Sequence, residues 1–112
     1  VAIYDATSKI LLTGDTFYPG RLYVDDWSSF KLSINRMVEF SNTHDIKYIL
    51  GNHIEMSTTN GVDYPLGSTY HPEEQKLPLS VDDLKTLQSS LNNLGDKPTR
   101  QIHKNFIIYP NN

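Results

Sequence analysis

The sequence predicts a small α/β (α+β) fold. Two amphipathic helical patterns are interspersed with short runs of β-prone residues, and a strand, a helix and a strand follow one another in the order typical of a βαβ unit. The 112 residues suffice for one domain, and 38% hydrophobic with 21% charged residues is a globular composition. We therefore expect residues 1–112 to form a single unit.

Runs of β-prone residues predict four strands. Three of them lie in the first half of the chain and one near its end, and the runs cover residues 1–6, 9–13, 46–51 and 105–109. The turn residues Tyr18-Pro19-Gly20 favour a loop over residues 16–26. Residues 57–79 carry several Gly and Pro residues without a sustained period, so they are predicted to form a long loop.

Apolar residues at helical spacing predict helices over about residues 28–44 and 80–94. Asp26 or Ser28 is a suitable N-cap for the first helix. The second helix carries stronger end signals, because Ser80 and Asp83 stand at the two positions of a capping box. Its leucine stripe, which predicts the buried face, ends before the helix stop at Gly95.

Charge and composition exclude several classes of function. Ten basic and 13 acidic residues give a net charge of -3, with the signs interspersed, so no nucleic-acid partner is predicted. The sequence contains no apolar run near the length of about 20 residues that a membrane span needs, which predicts a soluble chain. It also contains no cysteine, so there is no disulfide and no thiolate ligand or nucleophile.

Two polar motifs directly follow predicted buried strands. They are Gly14-Asp15-Thr16 and Gly51-Asn52-His53. The carboxyl ends of strands are where open α/β sheets build their clefts, so Asp15 and His53 are candidates for one shared site. A carboxylate and an imidazole are suitable zinc ligands and also a suitable acid/base pair. Considered singly, Asp15 is equally consistent with a turn and His53 with an ordinary loop.

The order of these motifs carries a resemblance to a known family. The stretch LLTGDTFYPGRLYV, followed by an amphipathic helix and then IKYILGNHIEMS, resembles the second half of the metallo-β-lactamase superfamily of metal-dependent hydrolases. The resemblance extends over residues 1–56 and beyond them only in the order of elements. It implies an αββα sandwich in which Asp15 bridges two metal ions, normally zinc, and His53 binds one of them.

The same resemblance implies an incomplete site. The family's His-x-His-x-Asp-His motif is absent, since the four histidines stand at positions 44, 53, 71 and 103. We therefore expect a C-terminal half, inactive alone, whose partner is an N-terminal half with the other ligands; Val1 in a predicted strand agrees with this. The complete enzyme would act on a small-molecule substrate. Aspartate at position 15, where some antibiotic-hydrolysing members have cysteine, points to the broader dinuclear hydrolases.

Four further residues are candidates near such a site. Glu55 could orient His53 as a hydrogen-bond acceptor, and Tyr18 and Arg21 could line the cleft. His71 lies in the long loop, either facing substrate or, as we favour, at a solvated tip. A lone half-sandwich would also expose an apolar sheet face and could form homo-oligomers. The alternative to a hydrolase fragment is a small α/β interaction or assembly module without catalysis.

Overall fold

The predicted α/β class is confirmed. The computed structural model describes residues 2–51, 54–57, 59, 61–65 and 78–110. Within these residues, two helices and six strands form two three-stranded sheets. The elements in chain order are β1 (Ile3–Asp5), β2 (Ile10–Gly14), β3 (Arg21–Val24), α1 (Trp27–Thr43), β4 (Tyr48–Gly51), α2 (Val81–Leu94), β5 (Gln101–Ile102) and β6 (Ile107–Pro110).

The first sheet contains the predicted βαβ unit. Its strand order is β1-β2-β4, with β1 antiparallel and β4 parallel to β2, and α1 lies between β2 and β4 in sequence. Register partners Tyr4, Leu11 and Ile49 share the inner face, and Leu11 and Ile49 belong to the core. The outer face carries Ile3 and Leu12, both exposed.

The second sheet contains two strands that the sequence analysis did not predict. Its order is β3-β6-β5, with β3 parallel to the central strand β6. The expected loop over residues 16–26 is therefore wrong for the four residues of β3. Arg21, the first of them, is buried although it is charged. Its presence breaks the alternation of apolar and polar residues by which a strand is predicted. The other unpredicted strand, β5, has only two residues.

Helix α2 begins at the predicted N-cap Ser80. Helix α1 begins at Asp26, one of its two predicted N-caps, and Ser28, the other, lies inside the helix. The Asp26 carboxylate accepts a hydrogen bond from the Ser29 amide over 3.1 Å at the start of α1. Ser80 and Asp83 form a reciprocal capping box at the start of α2, and Gly95 ends that helix with a φ of +60°. The indole of Trp27 donates to the Gly95 carbonyl over 2.8 Å and joins the start of α1 to the end of α2.

One hydrophobic core joins the helices to both sheets. The helices pack against each other, and each buries a stripe of apolar residues spaced three or four apart. Leu22, Val24 and Ile108 from the second sheet belong to the same cluster as Leu11 and Ile49 from the first. None of the described helices is long and apolar enough to cross a membrane.

Candidate functional site

Asp15 stands at the carboxyl edge of the first sheet. Gly14, the last residue of β2, pairs with Gly51, the last residue of the parallel strand β4. The two strands thus end side by side, and Asp15 follows immediately with an exposed side chain. Asp15 does follow a strand at a sheet edge, as predicted, but the expected burial of that strand on both faces is wrong, since Leu12 on the outer face of β2 is 42% exposed.

The two histidines of the predicted site, His53 and His71, lie outside the described residues. The convergence of Asp15 and His53 therefore stays a prediction. What the structure does give is the parallel pairing of β2 with β4, from whose last residue the sequence continues to His53.

The edge around Gly51 is tightly packed. A Cβ atom at this position would overlap the Phe17 carbonyl oxygen and lie 2.5 Å from the Cβ of Tyr18. The Thr13 hydroxyl closes the turn after β2 by donating to the Phe17 carbonyl over 2.6 Å, and it also lies 3.2 Å from the Leu50 carbonyl oxygen of β4. Only glycine permits this close approach of the two chain segments.

A recess of about 220 Å³ opens beside Asp15, and its wall also contains Asp25 and Asp26. Hydrogen bonds from Ser29 hold the pKa of Asp26 below its usual value, so this carboxylate stays charged. The sequence pattern indicates Asp26 only as a helix cap and gives no signal for Asp25. In the described part of the chain, no three His, Cys, Asp or Glu side chains converge closely enough to hold a metal ion.

Three other candidates, Tyr18, Arg21 and Glu55, lie together in one buried cluster next to this edge. The Arg21 guanidinium contacts the Glu55 carboxylate over 2.9 Å and the Asp63 carboxylate over 2.8 Å. The other Glu55 oxygen accepts from the Arg21 amide over 2.8 Å. Glu55 thus binds both the backbone and the side chain of Arg21, and its predicted effect on His53 stays a prediction.

Arg21 ties β3 to the segment that follows β4 through Glu55 and Asp63, and Tyr18 ties the turn before β3 to Arg21. Burial by itself lowers the pKa of Arg21, but the Tyr23 hydroxyl and the carboxylates of Asp63 and Glu55 raise it overall, so the guanidinium is charged. The Tyr18 hydroxyl donates to the Arg21 carbonyl. Burial and then the charge of Glu55 raise the pKa of Tyr18, which keeps its hydroxyl protonated at neutral pH.

A histidine remote from this edge makes stability depend on pH. The ring of His103 stacks on Phe106 with 4.9 Å between ring centres, and its Nε2 lies 2.9 Å from Gln101 Oε1. Burial lowers the pKa of His103 below its ordinary value of 6.5. The unfolded chain therefore takes up a proton at this residue before the folded chain does.

We expect this difference to appear in urea unfolding. The contribution of His103 to the free energy of unfolding should be constant above about pH 7.5 and should fall as the pH drops through the ordinary histidine pKa of about 6.5. His103→Gln should show a smaller loss of stability between pH 7.5 and pH 5.5 than the wild type. Equal losses in the two proteins would exclude this role for His103.

Comparisons with known proteins gave no match: no family model matches the sequence, no curated protein matches it, and no solved structure matches the fold.

Proposed function

We propose that this chain supplies Asp15 and His53 to a dinuclear zinc-type centre of a metal-dependent hydrolase related to the metallo-β-lactamase superfamily. The observation that carries this proposal is the parallel pairing of β2 with β4, in which Gly14 lies opposite Gly51. Asp15 then stands at the sheet edge that the chain reaches two residues before His53. The corresponding strand ends carry metal ligands in the family that the sequence resembles.

The chemistry of the available donors fits such a centre in part. Carboxylate oxygen and imidazole nitrogen are both zinc ligands, Asp15 is exposed, and the carboxylates of Asp25 and Asp26 make the adjoining recess attractive to a cation. Asp15 would bridge the two ions and His53 would bind one of them. When bound, a zinc pair supplies an activated water and polarises a carbonyl or phosphoryl oxygen of a small-molecule substrate.

Two ligands are too few for a catalytic dinuclear site. The remaining metal ligands would come from a His-x-His-x-Asp-His segment outside residues 1–112. Residues 1–112 alone should be inactive and should bind zinc weakly. Calorimetric titration of this chain with zinc measures that weak binding. We expect Asp15→Asn and His53→Gln each to remove it. Asp96→Asn, which removes an exposed carboxylate elsewhere, is the matched control. Tight binding of two zinc ions to this chain alone would contradict the proposal.

The full gene product provides the decisive experiment. Its reading frame should encode His-x-His-x-Asp-His upstream of Val1, and the purified protein should contain about two zinc ions. Asp15→Asn in that protein should lose hydrolase activity about 100-fold, together with part of the metal content. A reading frame without the histidine motif would end the hydrolase proposal.

An interaction or assembly module without catalysis is the second candidate, and the outer face of the first sheet favours it. Ile3, Leu12 and Tyr48 are 59%, 42% and 52% exposed there. On this alternative, wild-type protein should dimerise in sedimentation velocity experiments, and Leu12→Glu should be monomeric. Asp15→Asn should dimerise like the wild type. A monomeric wild type at high concentration would count against the module.

A further inference from the structure

A cavity of about 340 Å³ lies between the inner face of the first sheet and α1. Tyr4 and Leu11 line it from the sheet, and Met37 and Phe40 line it from the helix. Cavities of this volume with mainly apolar walls are typical of small-molecule sites. No local motif in the sequence indicates it, because the four residues come from three elements, β1, β2 and α1.

The aromatic end of the cavity is held in place by its own contacts. The rings of Tyr4 and Phe40 meet edge to face with 5.1 Å between centres, and Phe40 stacks on His44 at 3.8 Å. The Tyr4 hydroxyl donates to the Asp45 carbonyl over 2.8 Å. A ligand would therefore meet a wall that is already formed and would lose little free energy in ordering it.

One charged side chain, Arg36, borders this apolar space. The ion pairs formed among the described residues belong to Lys9 and Arg21, so the Arg36 guanidinium has no carboxylate partner there. A guanidinium is suited to bind a carboxylate through two parallel hydrogen bonds. An apolar wall bordered by a single cation favours a ligand with an apolar body and one negative charge.

The cavity adjoins the acidic recess beside Asp15. Thr16 and Ser33 line both spaces, and Ser33 lies three residues before Arg36 on the same face of α1. Phe40 lies one further turn along the helix. The carboxylates of the recess repel an anion, so an anionic group would bind at Arg36 and the apolar part would extend toward Phe40.

We propose that this cavity binds a small aliphatic or aromatic monocarboxylate, with its apolar part against the contacting rings of Tyr4 and Phe40 and its carboxylate on Arg36. The binding itself needs no metal. The further assignment, that the bound molecule is the acyl portion of the substrate or the product of a hydrolase, rests on the function proposed above.

Octanoate is the first probe, titrated into the wild-type chain in the presence of EDTA and followed by NMR. Shifts should concentrate at Tyr4, Leu11, Met37 and Phe40. Octylamine, which has a similar apolar chain and the opposite charge, should bind much more weakly. Equal binding of the two, or no octanoate binding by the folded protein, would overturn the proposal.

Two variants and one control locate the binding. Arg36→Gln should weaken octanoate binding about tenfold, because the carboxylate loses one charged hydrogen-bonding partner. Lys85→Gln removes the same charge from an exposed position on α2 and should leave the affinity unchanged. Ser33→Leu should reduce binding by filling part of the cavity. Unchanged affinity in both Arg36→Gln and Ser33→Leu would place the probe elsewhere.

The same design separates this proposal from the zinc proposal. Octanoate binding in EDTA, together with weak zinc binding that is the same in Asp15→Asn as in the wild type, would leave the carboxylate site standing and count against the metal site. Zinc binding that depends on Asp15 and His53, without any octanoate binding, would support the metal site and overturn the carboxylate site.

Discussion

A Gly51→Ala variant is expected to lose at least about 3 kcal/mol of folding free energy. This is the upper end of the usual cost of adding a group to a tightly packed site. The added methyl group would overlap the Phe17 carbonyl oxygen and lie 2.5 Å from Tyr18 Cβ. Neither obstacle is the flexible end of a long side chain. The turn after β2 and the end of β4 would have to separate, which also displaces Asp15. Urea unfolding with the wild type as reference measures the loss.

Gly95→Ala is the matched control for that variant. A Cβ atom at Gly95 meets no atom within 4 Å, but the residue has a φ of +60°. The expected cost is about 1 to 2 kcal/mol, because only the backbone conformation is penalised. If the two substitutions destabilise equally, the close approach of the chain segments at Gly51 is not what requires glycine there.

An Arg21→Met variant is expected to lose about 3 kcal/mol of folding free energy. This is the lower end of the usual cost of removing one partner of a buried ion pair. The Arg21 side chain is 6% exposed, and removing its charge leaves the Glu55 and Asp63 carboxylates close together without their cation. Their side chains are 22% and 28% exposed, so water relieves part of the cost. Thermal and urea unfolding should agree on the direction.

Two comparisons isolate the role of the guanidinium. Arg21→Lys keeps the charge but cannot serve both carboxylates and Tyr23 at once, so its loss should fall between those of wild type and Arg21→Met. Lys9→Met breaks the exposed ion pair with Asp45, which water already screens, and should cost far less than Arg21→Met. If Arg21→Met destabilises the protein as little as Lys9→Met does, then water or a rearrangement of Glu55 and Asp63 compensates for the lost guanidinium.

The elements that depend on local signals were predictable. The caps at Asp26 and Ser80 act within three residues of the helix start, and both form as expected. The βαβ unit formed by β2, α1 and β4 was also predicted, since each strand has its own apolar run. Asp15 was predicted as the residue after a strand at a sheet edge, and it stands there, although only the inner face of that strand is buried.

The second sheet was not predictable in the same way. β3 begins with a buried arginine, and such a residue is tolerated only because Glu55 and Asp63, far away in the sequence, neutralise it. The small cavity has the same origin, since Tyr4 and Phe40 meet only after the sheet and α1 have packed together. Local propensity contains no information about either arrangement. The pairing of Asp15 with His53 remains a prediction.

The position of β6 has a consequence for the order in which the structure can form. This strand is central in its sheet and pairs with both β3 and β5, so Arg21 has no strand partner until Ile107 has been synthesised. The first sheet, in contrast, is complete once β4 has left the ribosome. During synthesis, β3 should therefore stay unpaired long after β2 and β4 have met, and closure of the second sheet should be the slow step in refolding.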